Sequence, residues 1–113
     1  MTLSQRQRVF TSNVAKLITW AFEQGYEVVL LEAERTVAQQ RLYVEQGKSQ
    51  TMRSQHLKRL AVDLALFVEG VYQQGSNAYA PLGRYWKSLH EDNAWGGDWV
   101  RLKDGNHFEM SGS

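Results

Sequence analysis

Ala61-Val62-Asp63-Leu64-Ala65-Leu66-Phe67-Val68 is the stretch on which the fold turns. Its residues alternate at period two, the spacing of a β-strand. Val62, Leu64, Leu66 and Val68 share one face, and Ala61, Asp63, Ala65 and Phe67 share the other. The first face is continuous aliphatic core. The second carries one carboxylate between two alanines, which leaves space around it.

Toward the N-terminus, Phe10, Val14, Leu17, Ile18 and Ala21 recur at three- and four-residue spacing. They predict a helix with Ser4 as N-cap and Gly25 as its stop. Residues 26–31 are β-branched, aliphatic and aromatic, and predict a short buried strand. Thr36 can cap a second helix over 37–46, ended by Gly47, and residues 48–53 read as polar loop. Toward the C-terminus, residues 81–89 suit a short helix with Pro81 in its first turn. Trp95-Gly96-Gly97-Asp98-Trp99 reads as a turn between two large aromatics. Residues 106–110 predict a last strand, with His107 and Glu109 on one face and Phe108 and Met110 on the other. The pattern is that of a small α+β chain: helices of the first half packed on a short, mainly antiparallel sheet, as a single domain over residues 1–113.

Composition narrows the function. Of 113 residues, 42% are hydrophobic and 22% charged, ordinary values for a globular protein. Thirteen Lys and Arg against twelve Asp and Glu leave a net charge of +1, too little excess for a non-specific nucleic-acid binder. The lack of cysteine removes disulfides, thiolate nucleophiles and Cys-based metal sites. The longest aliphatic run, Val28-Val29-Leu30-Leu31, is too short to insert stably in a bilayer. The polar N-terminus does not resemble a signal segment, so synthesis in the cytoplasm is expected.

There are three histidines: His56, His90 and His107. His56 lies seven residues before Asp63, and Asp104 lies three before His107. A mononuclear zinc enzyme needs three protein ligands and one open position, and two imidazoles with one carboxylate satisfy that count. A further carboxylate is needed to move protons. Counting gives His56, Asp63 and His107 as ligands and Asp104 as base. By spacing alone a second reading stays open: hydrogen-bonded structural histidines, with Asp104-Gly105 as a turn signal. His90, in a polar stretch after a helix, reads as a helix C-terminal cation or a surface residue.

Ser54-Gln55-His56-Leu57-Lys58-Arg59-Leu60-Ala61-Val62-Asp63-Leu64 resembles the Ser-x-His-(x)6-Asp-Leu motif of the zinc D-Ala-D-Ala carboxypeptidase family, which includes VanY-like peptidases and phage L-alanyl-D-glutamate endopeptidases. Trp95-Gly96-Gly97-Asp98-Trp99 followed by Asp104-Gly105-Asn106-His107-Phe108-Glu109 resembles that family's second motif. Arg35-Thr36 with Gln40, and Gly47 with Ser49, resemble its upstream segment. The likeness runs in order from about Arg35 to Met110.

The resemblance implies one zinc ion per chain, held by His56, Asp63 and His107, with Asp104 as catalytic base. Asp at that position, where many relatives have Glu, is similar to the phage endopeptidase branch. Arg35 matches an upstream Arg that helps bind or polarise substrate, against the alternative of an ordinary surface ion pair. Ser54 either contacts substrate near the ligand loop or caps its turn. Trp95 and Trp99, if exposed, would wall a substrate groove; buried, they are core, as at least one of them is expected to be. Glu109 would either orient a ligand from behind or face solvent. Many relatives have Gly where this chain has Arg59, which suggests a different local turn here.

The expected function is therefore zinc-dependent hydrolysis of the L-Ala–D-Glu bond in peptidoglycan stem peptides, in the manner of a phage endolysin. A monomer made in the cytoplasm would reach the wall in the periplasm through a holin-type membrane pore. The rivals are a D-Ala-D-Ala carboxypeptidase or dipeptidase with the same site, a non-haem iron oxygenase built on a two-His, one-carboxylate triad, and a non-catalytic wall-binding module.

Overall fold

The computed structural model describes residues 1–49 and 54–112. Helix α1 (Leu3–Glu23) starts two residues earlier than the sequence suggests. Thr2, not Ser4, is the N-cap: its side chain accepts the Gln5 N–H, and the Gln5 side chain returns to the Thr2 N–H, closing a capping box. Gly25, at φ +86°, ends the helix as expected.

Strand β1 (Glu27–Leu30) pairs antiparallel with β2 (Ala61–Val68), which in turn pairs antiparallel with the final strand β5 (His107–Met110). Two strands escape the sequence reading. Strand β3 (Val71–Tyr72) folds back on β2 through Glu69 and Gly70, both at positive φ, the signature of a tight hairpin turn. Strand β4 (Asn93–Trp95) lies on the far side of β5. Their two- and three-residue lengths carry no usable periodicity. The sheet order is β1-β2-β5-β4, with β3 beside the C-terminal end of β2.

Helix α2 (Val37–Glu45) is capped by Thr36, and Gly47 follows its end at φ +74°. Helix α3 (Ala80–Leu89) has Pro81 in its first turn. The expected loop over 48–53 is described only as far as Ser49; residues 50–53 lie outside the described residues.

The core lies where α1 and α3 meet the aliphatic face of the sheet. Phe10, Leu17 and Ala21 of α1 and Leu82 and Trp86 of α3 pack on Val62, Leu64, Leu66, Phe108 and Met110. Trp86 is fully buried, and its indole N–H is shared by the carbonyls of Ala94 and Glu109 at 3.1 and 3.0 Å. Trp20 and Tyr85 stack between the helices, ring centroids 4.6 Å apart. Thus the sheet's partners are one helix from each half of the chain, not the two helices of the first half. Helix α2 buries only Gln40 and packs beside the cleft instead. Strand β1 also departs from expectation, since Val29, Leu30 and Leu31 are exposed. It is an edge strand, and the helices cover only part of its surface.

The second face of β2 holds the site. Ala61 and Ala65 are buried and small, and Asp63 stands between them. Asp63 is the register partner of His107 on β5, so antiparallel pairing sets the two side chains next to each other.

Candidate active site

His56 enters from a short 3-10 turn (Gln55–Lys58) directly before β2. Ser54 caps that turn, accepting the His56 N–H at 3.2 Å. Arg59 closes it at φ 56°, ψ 39°. The expectation of a different turn at Arg59 is corrected: the left-handed conformation is kept and an arginine occupies it. The bonds of the Arg59 and Leu60 N–H groups to the His56 and Gln55 carbonyls hold it there.

The hydrogen bonds settle the tautomer of His56 and set the ring of His107 between two carboxylates. His56 Nδ1 lies 2.9 Å from the Ala33 carbonyl, which can only accept, so Nδ1 carries the proton. His56 Nε2 is then a bare lone pair. It is buried, lies 3.2 Å from Asp63 Oδ1 without the alignment of a hydrogen bond, and has no other partner among the described residues. His107 Nε2 donates to Glu109 Oε1 at 2.7 Å, which aims Nδ1 at the same Asp63 Oδ1, 3.2 Å away. Glu109 is braced by the Ser111 hydroxyl, and the Ser111 carbonyl accepts from the buried Arg6 of α1.

Two imidazole nitrogens thus converge on one carboxylate oxygen, all within 4.8 Å of one another. A buried cluster of three acceptors needs a cation, either a proton or a metal ion. The electrostatics agree. Burial raises the Asp63 carboxyl, but the His107 and His56 imidazoles outweigh it and hold it at about 2. Burial lowers the His107 imidazole, but Asp63 and Glu109 outweigh it and push it up to about 9. The three side chains together can hold one metal ion, and two nitrogens with one oxygen suit zinc.

Asp104 lines the same cleft, of about 940 Å³, and its carboxyl makes no hydrogen bond among the described residues. Burial, then the charge of Asp63, raises it above the ordinary carboxylate range. Its backbone is fixed: the Asp104 N–H donates to the Gly96 carbonyl at 3.0 Å. A Cβ at Gly96 would overlap the Asp104 carbonyl, so this approach requires glycine.

Arg35 is not a surface ion pair. Its side chain is 9% exposed. The guanidinium donates to Glu32 Oε1 at 2.6 Å, to Gln40 Oε1 at 2.6 Å and to Ser54 Oγ at 3.3 Å, and lies 4.7 Å from the Tyr43 ring centroid. Ser54 therefore joins the turn of His56 to Arg35 while lining the cleft. Glu32 and Tyr43 are members of this cluster that sequence reading missed. The one available signal is the opposite-charge spacing Glu32-x-x-Arg35.

The two tryptophans separate. Trp95 is corrected from groove wall to core: it is buried, its indole N–H donates to the Gly105 carbonyl at 2.6 Å, and α3 packs so closely on its ring that a Cβ at Gly83 would overlap it. Trp99 stays at the surface, 4.8 Å from the His107 ring, and lines the cleft. His90 caps α3, its Nδ1 accepting the Asp92 N–H, away from the cleft.

A buried His-Asp-His donor set with a separate basic carboxylate is the arrangement of a mononuclear metallopeptidase. The family described as D-alanyl-D-alanine carboxypeptidase, peptidase M15, matches residues 47–110, and the chain belongs to this family of zinc peptidases. It is 36% identical over 103 residues to the L-alanyl-D-glutamate peptidase of Listeria phage A118, covering 85% of this chain and 34% of that protein. The chain thus spans about a third of the length of that curated relative. Among solved structures, the Serratia marcescens L-Ala D-Glu endopeptidase ChiX superposes with a TM-score of 0.72 at 30% identity, over 96% of this chain and 85% of that one. The vancomycin-resistance D,D-pentapeptidase VanY, solved with Zn(II), shares the fold with a TM-score of 0.63 at 15% identity, over 91% and 71% of the two chains.

Proposed function

We propose that this protein hydrolyses the L-Ala–D-Glu bond of peptidoglycan stem peptides as a zinc-dependent endopeptidase, with residues 1–113 acting as one catalytic domain. The observation that carries the reading is the bare, buried Nε2 of His56 facing Asp63 beside an equally directed His107 Nδ1. The choice of bond is supported by the likeness to two peptidases named for that bond, one of them over nearly the whole of both chains.

His56 Nε2, Asp63 and His107 Nδ1 would hold the zinc ion. Zinc supplies Lewis acidity there, polarising a peptide carbonyl and making water acidic at neutral pH. Asp104 is the group that takes the proton of the attacking water and hands it to the leaving amine. Its unbonded carboxyl and raised proton affinity suit both transfers. Arg35 presents positive charge to the developing oxyanion from the cleft wall, pre-positioned by Glu32, Gln40 and Ser54. Trp99 walls the cleft next to His107. Glu109 fixes the His107 tautomer.

No helix among the described residues is long and apolar enough to cross a membrane. The protein acts in this reading as a monomer made in the host cytoplasm, admitted to the periplasmic wall by a holin-type pore. The test is digestion of purified peptidoglycan with and without a chelator, with fragments read by mass spectrometry. Chelator-sensitive cleavage after L-Ala, exposing N-terminal D-Glu, is expected. Release of free D-Ala would overturn the choice of bond in favour of a carboxypeptidase.

A further inference from the structure

The cleft has two unlike walls. On the α2 side, among the described residues, the buried Arg35 is matched by Glu32 and Lys48 lies over the Tyr43 ring. On the other side runs the segment from Trp99 to Asp104. It is closed at its base by a single acceptor: the Gly96 carbonyl takes the N–H of Trp99 at 3.2 Å and of Asp104 at 3.0 Å. The loop between these bonds stands out from the body, with Val100 94% exposed. Leu102, at φ 50°, bends the chain between Arg101 and Lys103. Both cations line the cleft, and neither has a carboxylate partner among the described residues. Each cleft acid apart from Asp104 is already engaged: Asp63 and Glu109 by the histidines, Glu32 by Arg35.

Two unpaired cations on a loop anchored at the proposed base are placed to meet an anion on the substrate. In an L-Ala–D-Glu peptide the residue contributing the leaving amine has two carboxyl groups. Whichever of them continues the chain, the other is free and negatively charged. We propose that Arg101 and Lys103 form the subsite for that free carboxylate, so that the enzyme selects an acidic residue on the amine side of the cut bond. The inference deepens the proposed function and rests on it. A loop tied at both ends by one carbonyl holds its charges in place without preassembled ion pairs, which favours charge recognition by substrate rather than internal pairing.

The test uses two synthetic muropeptides that differ only in whether the free carboxyl of D-Glu is an acid or an amide, with the zinc-loaded protein and release of the L-Ala end followed by chromatography. The parent should cut the acid with kcat/KM about fivefold to tenfold above the amide, mainly through KM, as expected for two exposed charge contacts. In the double variant Arg101→Gln, Lys103→Gln that ratio should fall to about one, with zinc stoichiometry as in the parent. Equal rates of the parent on both peptides, or a ratio the double variant does not move, would overturn the subsite while leaving the endopeptidase reading in place. Failure to cut either peptide, with cleavage of a D-Ala-D-Ala peptide by the same preparation, would overturn both.

Discussion

The two faces of the central strand are built by different physics. The face of Val62, Leu64 and Leu66 is covered by α1 and α3 through aliphatic and aromatic packing. The face of Asp63 is covered by polar side chains: His56, His107, Glu109 and, nearby, the Arg35 cluster. The first face supplies stability through burial of apolar area. The second concentrates buried charge that is offset only when a cation sits among the acceptors. The lesson is a division of labour across one sheet, in which the apolar face holds rigid what the polar face needs placed.

That division can be broken at either side. Trp86→Ala should have the largest effect on folding. It removes a fully buried indole and strips two carbonyls of their donor, a loss of about 3–5 kcal/mol. Denaturant unfolding checks it, and the fraction still folded should retain zinc binding. Asp104→Asn is the converse. Hydrolysis should fall by about 10²–10⁴-fold with zinc retained. Because Asp104 is raised by burial and by Asp63, its charged form is less favoured in the folded chain than in the unfolded one. The chelated Asn variant should therefore melt no lower than the chelated parent, whereas a clear drop in Tm would give Asp104 a structural role.

Glu109→Ala sharpens the comparison within the polar face. Freed from Glu109, His107 can turn or change tautomer, and zinc affinity should drop about 10–100-fold, read by competition with a chromophoric chelator. Glu109→Gln keeps an acceptor for Nε2–H and should recover part of the loss. The same titration across pH tests the charge balance. His107 is raised to about 9 from 6.5, so in chelated protein its stabilising effect is complete below 6.5 and is lost as pH rises through 9. Asp63 is lowered to about 2 from 3.8, so its effect is present above 3.8 and lost as pH falls through 2. Protons and metal compete for His107, and zinc affinity should climb from pH 6.5 toward 9. A flat profile would mean that His107 is not a ligand.

The smallest effect belongs to the turn joining the faces. Arg59→Gly should stabilise the protein by about 1 kcal/mol, since it relieves a left-handed arginine, measured as a rise in Tm. No gain would show that the Arg59 side chain offsets its backbone strain.

Much of the site was legible before any coordinates. The alternation in 61–68 announced both the core face and the isolated carboxylate, and the pairing of His107 with Glu109 followed from strand periodicity. Caps at Thr36 and stops at Gly25 and Gly47 were readable because each rests on local chemistry. Strands β3 and β4 were not, because two or three residues contain no period and are ordered only by their neighbours. Trp95 and Trp99 are alike in sequence, and only the packing of Gly83 against one of them separates core from cleft.

Local order therefore set the donors in this chain: which residues, on which strand, facing which way. Tertiary structure decided what they became. The Ala33 carbonyl, twenty-three residues from His56, chooses its tautomer. Arg35 changes from a plausible surface charge to a braced cation through Glu32, Gln40 and Ser54, up to nineteen residues away. Side-chain type and period are properties of a few adjacent residues, whereas a proton's position and a charge's surroundings depend on groups that only folding brings within hydrogen-bond reach.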